Sequence, residues 1–402
     1  MNNKFLYFLV SLIFASFFAQ TIFAQDESES KKAYEFTIIK EVPATSVKNQ
    51  YRSGTCWSFS SLAFVESELL RLGKGEYDLS DMFVVKKTYE EKAIKYIRFQ
   101  GALNFSGGGA FHDVFHVIKE YGIVPEEVYD GKVIGEENHI HGELDAVTKA
   151  YVEAVLKNKN KKLTPVWFKG FQGITDAYLG EIPESFTYNE KEYTPQSFAA
   201  ELDLKVEDYI EIGSYTHHPF YGQFILEVPD NWMLDQVYNI PMNEMMEVID
   251  NALENGYTIG WGSDVSEKGF SWKNGVAIVP DEELEDLSGT EKEKWEKLTD
   301  KEKKASFYKF TEPVKEKIIT QDMRQLEFDN YSTTDDHGMQ ITGIAEDQEG
   351  NRFYKVKNSW GTAGHIYDGY FFASKSFVQL KTIDIVVHKD AIPKNILKKM
   401  GL

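Results

Sequence analysis

An α+β fold is predicted for this chain from three observations. Its first third carries apolar residues at helical spacing, punctuated by glycines. The remainder leans towards strands, and near its end two apolar-rich segments flank Asp347-Gln348-Glu349-Gly350, as in a hairpin. Helices gathered ahead of strands, rather than alternating with them, point to segregated α and β lobes.

At the start, Lys4 precedes an apolar run from Phe5 to Phe18, and Ile22-Phe23-Ala24 stands before polar Gln25-Asp26-Glu27. This reads as a secretory signal peptide cleaved after Ala24. A membrane anchor is the other reading, but Ser11, Ser16, Gln20 and Thr21 interrupt a run already shorter than the ~20 residues a spanning helix needs. The expected protein is therefore exported, periplasmic or secreted, without stable membrane insertion once the signal is removed. Nucleic acid is not an expected partner, because a formal charge of −20 repels phosphates and no basic cluster offsets it. The densest basic run, Lys157 to Lys162, reads as a solvated helix end.

Along the mature chain, Glu35 to Val42 reads as extended and leads through Pro43 to a loop at Gln50. Phe59, Leu62, Ala63, Leu69 and Leu70 predict a helix starting at Cys56 and stopped by Gly73. Asp78-Leu79-Ser80 caps a second helix running towards Ile97, and Gly107-Gly108-Gly109 opens a third from Ala110 to Tyr121, closed by Gly122. A helix is expected over Leu144 to Lys157, then turn-rich aromatic stretches around Tyr178-Leu179-Gly180 and Tyr188. Tyr209 to Tyr215 and Phe224 to Val228 lean to strands. Met242 to Asn255 is a helix whose Met245, Met246, Ile249 and Leu253 form a core stripe. Tyr257 to Trp261 and Gly275 to Val279 read as strands, and Asp281 to Tyr308 as a charge-laced helical excursion.

Cys56 is the sole cysteine, so no internal disulfide forms and an exported chain carries a lone thiol. An inert buried thiol is the commoner fate of such a residue. Its setting, Gln50-Tyr51-Arg52-Ser53-Gly54-Thr55-Cys56-Trp57, suits a nucleophile instead, because the positive end of a helix dipole favours thiolate and the Gln50 amide can serve an oxyanion. In the hairpin, a turn at Asp347 to Gly350 sets His337 opposite Asn358, with Cβ atoms about 5 Å apart. Cysteine, histidine and asparagine then form a nucleophilic set.

These residues resemble the papain-like cysteine peptidases, and within them the bleomycin hydrolase and aminopeptidase C branch. The wider family is matched by the Gln50-to-Cys56 spacing, Cys56-Trp57-Ser58-Phe59 and Asn358-Ser359-Trp360-Gly361. The branch is matched by Thr334 to Met339, by Arg324-Gln325 with Phe328 to Tyr331, and by Thr216-His217-His218-Pro219-Phe220-Tyr221. The likeness runs from about Val47 to Phe371. It departs at Ser53, where many secreted members have a disulfide-forming cysteine, and in the export signal, since the branch is usually intracellular.

The resemblance implies a papain-like fold in which a helical lobe carrying the nucleophile packs on a β-barrel-like lobe. It implies a peptidase domain at 25–402 after the signal at 1–24. Within it are a helix-rich lobe at about 45–135, an insertion at about 136–235, a β-rich lobe at about 236–390 and a tail at 391–402. Catalysis would fall to Cys56, His337 and Asn358, with Gln50 at the oxyanion, Trp360 shielding the imidazole, and Gly107, Gly108 and Gly109 as the substrate-backbone rim. A plain helix-entry loop fits those glycines nearly as well, and they lack the Gly-Lys-Ser/Thr of a phosphate cradle.

Peptides are the expected partners, a self-enclosing hexamer is implied by resemblance alone, and no cofactor or metal is expected. His112 and His116 sit i, i+4, but Asp113 stands where a zinc peptidase needs glutamate; His217 and His218 would diverge on a strand. The leading function is an aminopeptidase, with a papain-like endopeptidase, a catalytically silent peptide binder and a zinc hydrolase as rivals.

Overall fold

The computed structural model describes residues 34–281, 299, 301, 305 and 307–402. The signal peptide expected at Met1 to Ala24 and nearly all of the excursion expected from Asp281 to Tyr308 lie outside them. Strand β1 (Thr37–Glu41) is followed by helices α1 (Cys56–Arg71), α2 (Asp81–Arg98), α3 (Phe111–Tyr121), α4 (Gly142–Leu156) and α5 (Val166–Leu179). A small hairpin, β2 (Phe186–Tyr188) and β3 (Lys191–Tyr193), precedes α6 (Pro195–Leu202). Strands β4 (Tyr209–Gly213), β5 (Gln223–Ile225) and β6 (Gln236–Asn239) come next, then α7 (Met242–Glu254), β7 (Ile259–Ser263), β8 (Phe270–Ser271) and β9 (Val276–Ala277). The final third holds α8 (Gln321–Asp329), β10 (His337–Glu346), β11 (Arg352–Lys357), β12 (Tyr370–Ser374), α9 (Lys375–Lys381), β13 (Thr382–His388) and α10 (Lys394–Met400).

Helix α1 is buried along every residue from Trp57 to Leu69, so it is a central helix rather than an amphipathic surface one. Its polar residues are satisfied locally. Ser61 and Ser67 donate to the carbonyls of Trp57 and Ala63 at 2.6 and 3.0 Å, and Glu66 accepts from Thr45 at 2.6 Å and Lys48 at 3.0 Å. Ser80 caps α2 by accepting from the Phe83 N–H at 3.0 Å.

The stretch around Tyr178-Leu179-Gly180, expected to be turn-rich, is instead the end of helix α5, with Gly180 following it. Phe171, Thr175 and Leu179 form its buried stripe, and Gly170 lets it approach α4, because a Cβ there would overlap the Tyr151 hydroxyl. Glycines inside the helix masked its period.

Apart from the β2–β3 hairpin, the strands form one mixed sheet in the order β5-β6-β4-β13-β7-β10-β11-β12-β9-β8, with β1 added to β10. Among the described residues this sheet stays open, so the barrel-like lobe expected above is a sheet and not a closed barrel. Strand β10 is its axis: it pairs β7 on one side, with His337 opposite Ser263, and β11 on the other. The expected hairpin forms with a different register. Gln340, not His337, lies opposite the end of β11 at Lys357, and a bulge between Ile341 and Gly343 shifts the pairing.

Two large apolar clusters result. One joins α1 to α6, and the other joins the sheet to α7 and α10 and holds Met245, Met246, Ile249 and Leu253 as expected. The start of α1 lies where the helical layer meets β10.

Candidate active site

Cys56 is the first residue of α1 and is half-buried. The loop before it turns through Tyr51 (φ 50°) and Gly54 (φ 68°), and the Gln50 N–H donates to the Ser359 carbonyl at 2.8 Å. The N–H groups of a helix's first turn have no intrahelical partner. Those of Trp57 and, from β10, Gly338 reach the Cys56 sulfur. That places the thiol beside the residue that follows His337. Gln50, Cys56, His337 and Trp360 all line one cleft of about 350 Å³.

Nε2 of His337 lies 2.8 Å from Asn358 Oδ1. The same oxygen accepts from the Ser359 backbone N–H at 2.8 Å, which fixes the orientation of the amide. Oδ1 being the acceptor, Nε2 of the neutral ring carries the proton and Nδ1 keeps the lone pair. The two side chains meet diagonally, beyond the last β10–β11 pair. Trp360 packs on the imidazole with ring centroids 4.8 Å apart. Ser359, which the sequence reading passed over, donates its hydroxyl to Gln50 Oε1 at 2.6 Å and so leaves the Gln50 NH2 group for the cleft.

Burial pushes the Cys56 thiol up to about 12, against the opposing N–H bonds from Gly338 and Trp57, and pushes the His337 ring down to about 4 despite its bond to Asn358. Desolvation thus opposes the thiolate that the helix start favours. A proton moved from Sγ to the imidazole makes two opposite charges at once, which the site tolerates better than either alone.

The three glycines part company. Gly108 and Gly109 line the cleft, whereas Gly107 lies behind it and accepts from the Trp57 indole N–H at 2.9 Å. A Cβ on Gly109 would stand 2.6 Å from Asp113 Oδ2 and 2.8 Å from the Trp57 ring, so the rim needs glycine there. Among the described residues, four aspartates, Asp230, Asp335, Asp336 and Asp384, also line the cleft, and no lysine or arginine does. The sequence carried one sign of this, a carboxylate inside the apolar strand Ile383-Asp384-Ile385-Val386-Val387.

The histidines outside the cleft have other duties. His112 pairs with Glu211 at 3.0 Å and His116 with Glu91 at 3.6 Å, on separate elements. His217 and His218 do not diverge on a strand. They occupy a turn with rings 4.5 Å apart, and both approach Glu227. The Gln325 amide donates to His217 Nδ1 at 2.9 Å, while its oxygen accepts from the Thr216 N–H at 2.6 Å. That bonding leaves Nε2 protonated and donating to Glu227 at 2.8 Å, without a lone pair for a metal.

A papain family cysteine protease model matches residues 34–176, and a Peptidase C1-like family model matches residues 302–401. With the lone thiol at a helix start and a bonded imidazole and carboxamide at the cleft, these matches make the chain a papain-like cysteine peptidase.

Within that family it is similar over nearly its whole length to aminopeptidases C. That of Streptococcus thermophilus is 23% identical, covering 90% of this chain and 84% of its own. That of Lactobacillus delbrueckii subsp. lactis is 24% identical, covering 93% and 86%. The crystal structure of PepW from Lactobacillus rhamnosis HN001 superposes with a TM-score of 0.67 at 18% identity, covering 93% of this chain and 86% of that one, which establishes the shared fold.

Proposed function

We propose that this protein is an exported cysteine aminopeptidase that trims short peptides, with Cys56 as nucleophile, His337 as general base and acid, and Asn358 orienting the ring. The observation that carries this reading is the bonded His337–Asn358 pair, whose free Nδ1 belongs to a ring lining the cleft that holds the chain's single thiol. Full-length similarity to aminopeptidases C supports the exopeptidase assignment.

In the reaction, the Sγ proton passes to His337 Nδ1 as sulfur attacks the scissile carbonyl. The oxyanion is met by the Gln50 amide and the Cys56 backbone N–H, a donor of this kind contributing about 3 kcal/mol to the transition state. Collapse breaks the C–N bond, and Nδ1 returns its proton to the leaving amine. Water, deprotonated by the same nitrogen, then hydrolyses the thioester. Trp360 covers the imidazole from solvent, and Gly108 and Gly109 let the substrate backbone lie close.

The apolar leader supports export to the periplasm or beyond, and no helix among the described residues is long and apolar enough to cross a membrane. Resemblance to the branch supports a homo-oligomer, a hexamer in form, as the working assembly. Digesting a peptide ladder with free and N-acetylated amino ends, and reading the products by mass, tests the function. Sequential loss from free ends alone is expected; internal cleavage of blocked peptides would assign an endopeptidase instead. Cys56→Ala should abolish both while keeping the fold, and retained hydrolysis would remove the thiol from the mechanism.

A further inference from the structure

The cleft carries an acidic wall that the triad chemistry does not use. Asp384, on β13, is 5% exposed, and it lines the cleft. Its one hydrogen-bonding neighbour among the described residues is another carboxyl, Glu211, which is already paired with His112. Arg324, the nearest cation to act on it, spends its N–H groups on the carbonyls of Ser214, Gln379, Leu380 and Ile383.

Asp335 is half-buried and accepts no hydrogen bond from any described residue. Its neighbour Asp336 differs, accepting from the Val265 and Ser266 N–H groups at 2.9 and 3.0 Å. Opposite, Asp230 accepts from Asn104 at 3.0 Å.

Two glycines make room for these groups. A Cβ on Gly262 would overlap the Asp384 carboxylate, and one on Gly108 would overlap that of Asp230. Carboxyl groups are therefore laid against bare backbone on both walls of one cavity, whose lining holds no lysine or arginine among the described residues. Lys92 and the side chains of Asn104 and Ser106 offset Asp230, whereas Asp335 has neither a donor nor a counterion among the described residues; a buried carboxylate so placed is costly, and a cation entering the cavity would relieve that cost. Burial and mutual repulsion hold the Asp335 carboxyl up at about 8 and that of Asp384 well above the usual carboxylate range, so both keep their protons near neutral pH until a cation beside them draws the protons off.

Resting on the aminopeptidase reading above, we propose that Asp335 and Asp384, faced by Asp230, receive a primary ammonium group of the substrate, namely its free amino end. The α-ammonium of a bound peptide would then fix how many residues fit between this wall and Cys56. Exopeptidase specificity would arise from side-chain carboxylates of the cleft itself.

Asp335→Asn and Asp384→Asn, each checked for folding by thermal melting, test this on three fluorogenic amides: alanyl, N-acetylalanyl and N-acetyl-lysyl-alanyl. For the wild type, hydrolysis of the alanyl amide alone is expected. In either variant KM for it should rise about tenfold or more with kcat within about twofold, the loss expected of one charged hydrogen bond. An unchanged KM in both folded variants, with the wild type still requiring a free amine, would overturn the anchor while leaving the aminopeptidase standing. Wild-type hydrolysis of the N-acetylalanyl amide as fast as the free one would overturn the aminopeptidase reading itself. Strong wild-type turnover of the N-acetyl-lysyl amide, lost in the variants, would overturn the amino-end assignment by showing that the wall takes a basic side chain.

Discussion

Asn358 Oδ1 accepts from both the Ser359 backbone N–H and Nε2 of His337, each at 2.8 Å, so a backbone group decides which nitrogen of the imidazole is the base. Asn358→Ala frees the ring to rotate and to change tautomer. A positioned base contributes about 100-fold or more, and much of that depends on its orientation. Peptide hydrolysis by Asn358→Ala should accordingly fall about 100-fold in kcat with KM changed little. Steady-state kinetics check this, and a kcat within threefold of wild type would show that Trp360 packing alone holds the ring.

The ionised thiol depends on its partner. With His337 replaced by Ala, no imidazole remains to take the Sγ proton, and burial holds the thiol far above its ordinary range. Alkylation of Cys56 by iodoacetamide at pH 7 should then be about 100-fold slower than in the wild type and should accelerate as pH is raised. Equal rates in the two proteins would mean that the helix start ionises the sulfur without help.

Ser359 offers a separate test of the oxyanion site. Its hydroxyl holds Gln50 Oε1 at 2.6 Å, and removing it lets the amide turn away from the cleft. Gln50→Ala should lower kcat about 100-fold, the usual cost of a lost oxyanion donor, and Ser359→Ala about tenfold. The double variant should be no worse than Gln50→Ala alone, because Ser359 acts through Gln50. Additive losses would give Ser359 an independent role.

Much of this arrangement was legible because local signals agreed. Helical spacing after Cys56, the stop near Gly73, the Ser80 cap and the closing Gly122 all mark helix ends that the fold keeps. The β10–β11 hairpin was legible as well, but its register was not. A bulge at Ile341/Gly343 leaves no trace in an alternating pattern, so His337 and Asn358 meet diagonally and not face to face. Helix α5 was hidden by Gly170 and Gly173, of which Gly170 serves packing against α4 at the cost of apparent periodicity. The acidic wall was least legible, since Asp230, Asp335 and Asp384 come from three distant segments. Burial of Cys56, which opposes the thiolate that the helix start favours, was not legible either, because the helix dipole is visible in a sequence and desolvation is not.

Beyond the cleft, the His112–Glu211 pair gives a pH signature in stability. Burial opposes the charge on His112, but Glu211, Asp113 and Asp235 outweigh it and raise the ring to about 9. A group whose folded value lies above its unfolded one stabilises fully below the unfolded value, here ~6.5, and loses that contribution as pH rises through the folded one. The wild type should therefore melt above His112→Gln by a few degrees at pH 6, as expected when one partner of a buried ion pair is removed. The gap should narrow steadily between pH 6.5 and 9.5, because the wild-type imidazolium deprotonates across that window while the variant lacks that group and shares the others that titrate there. Melting curves of both proteins at pH 6, 7.5 and 9.5 measure this directly. A gap that stayed constant would mean that His112 supports the fold by packing alone and that Glu211 finds another partner for its charge.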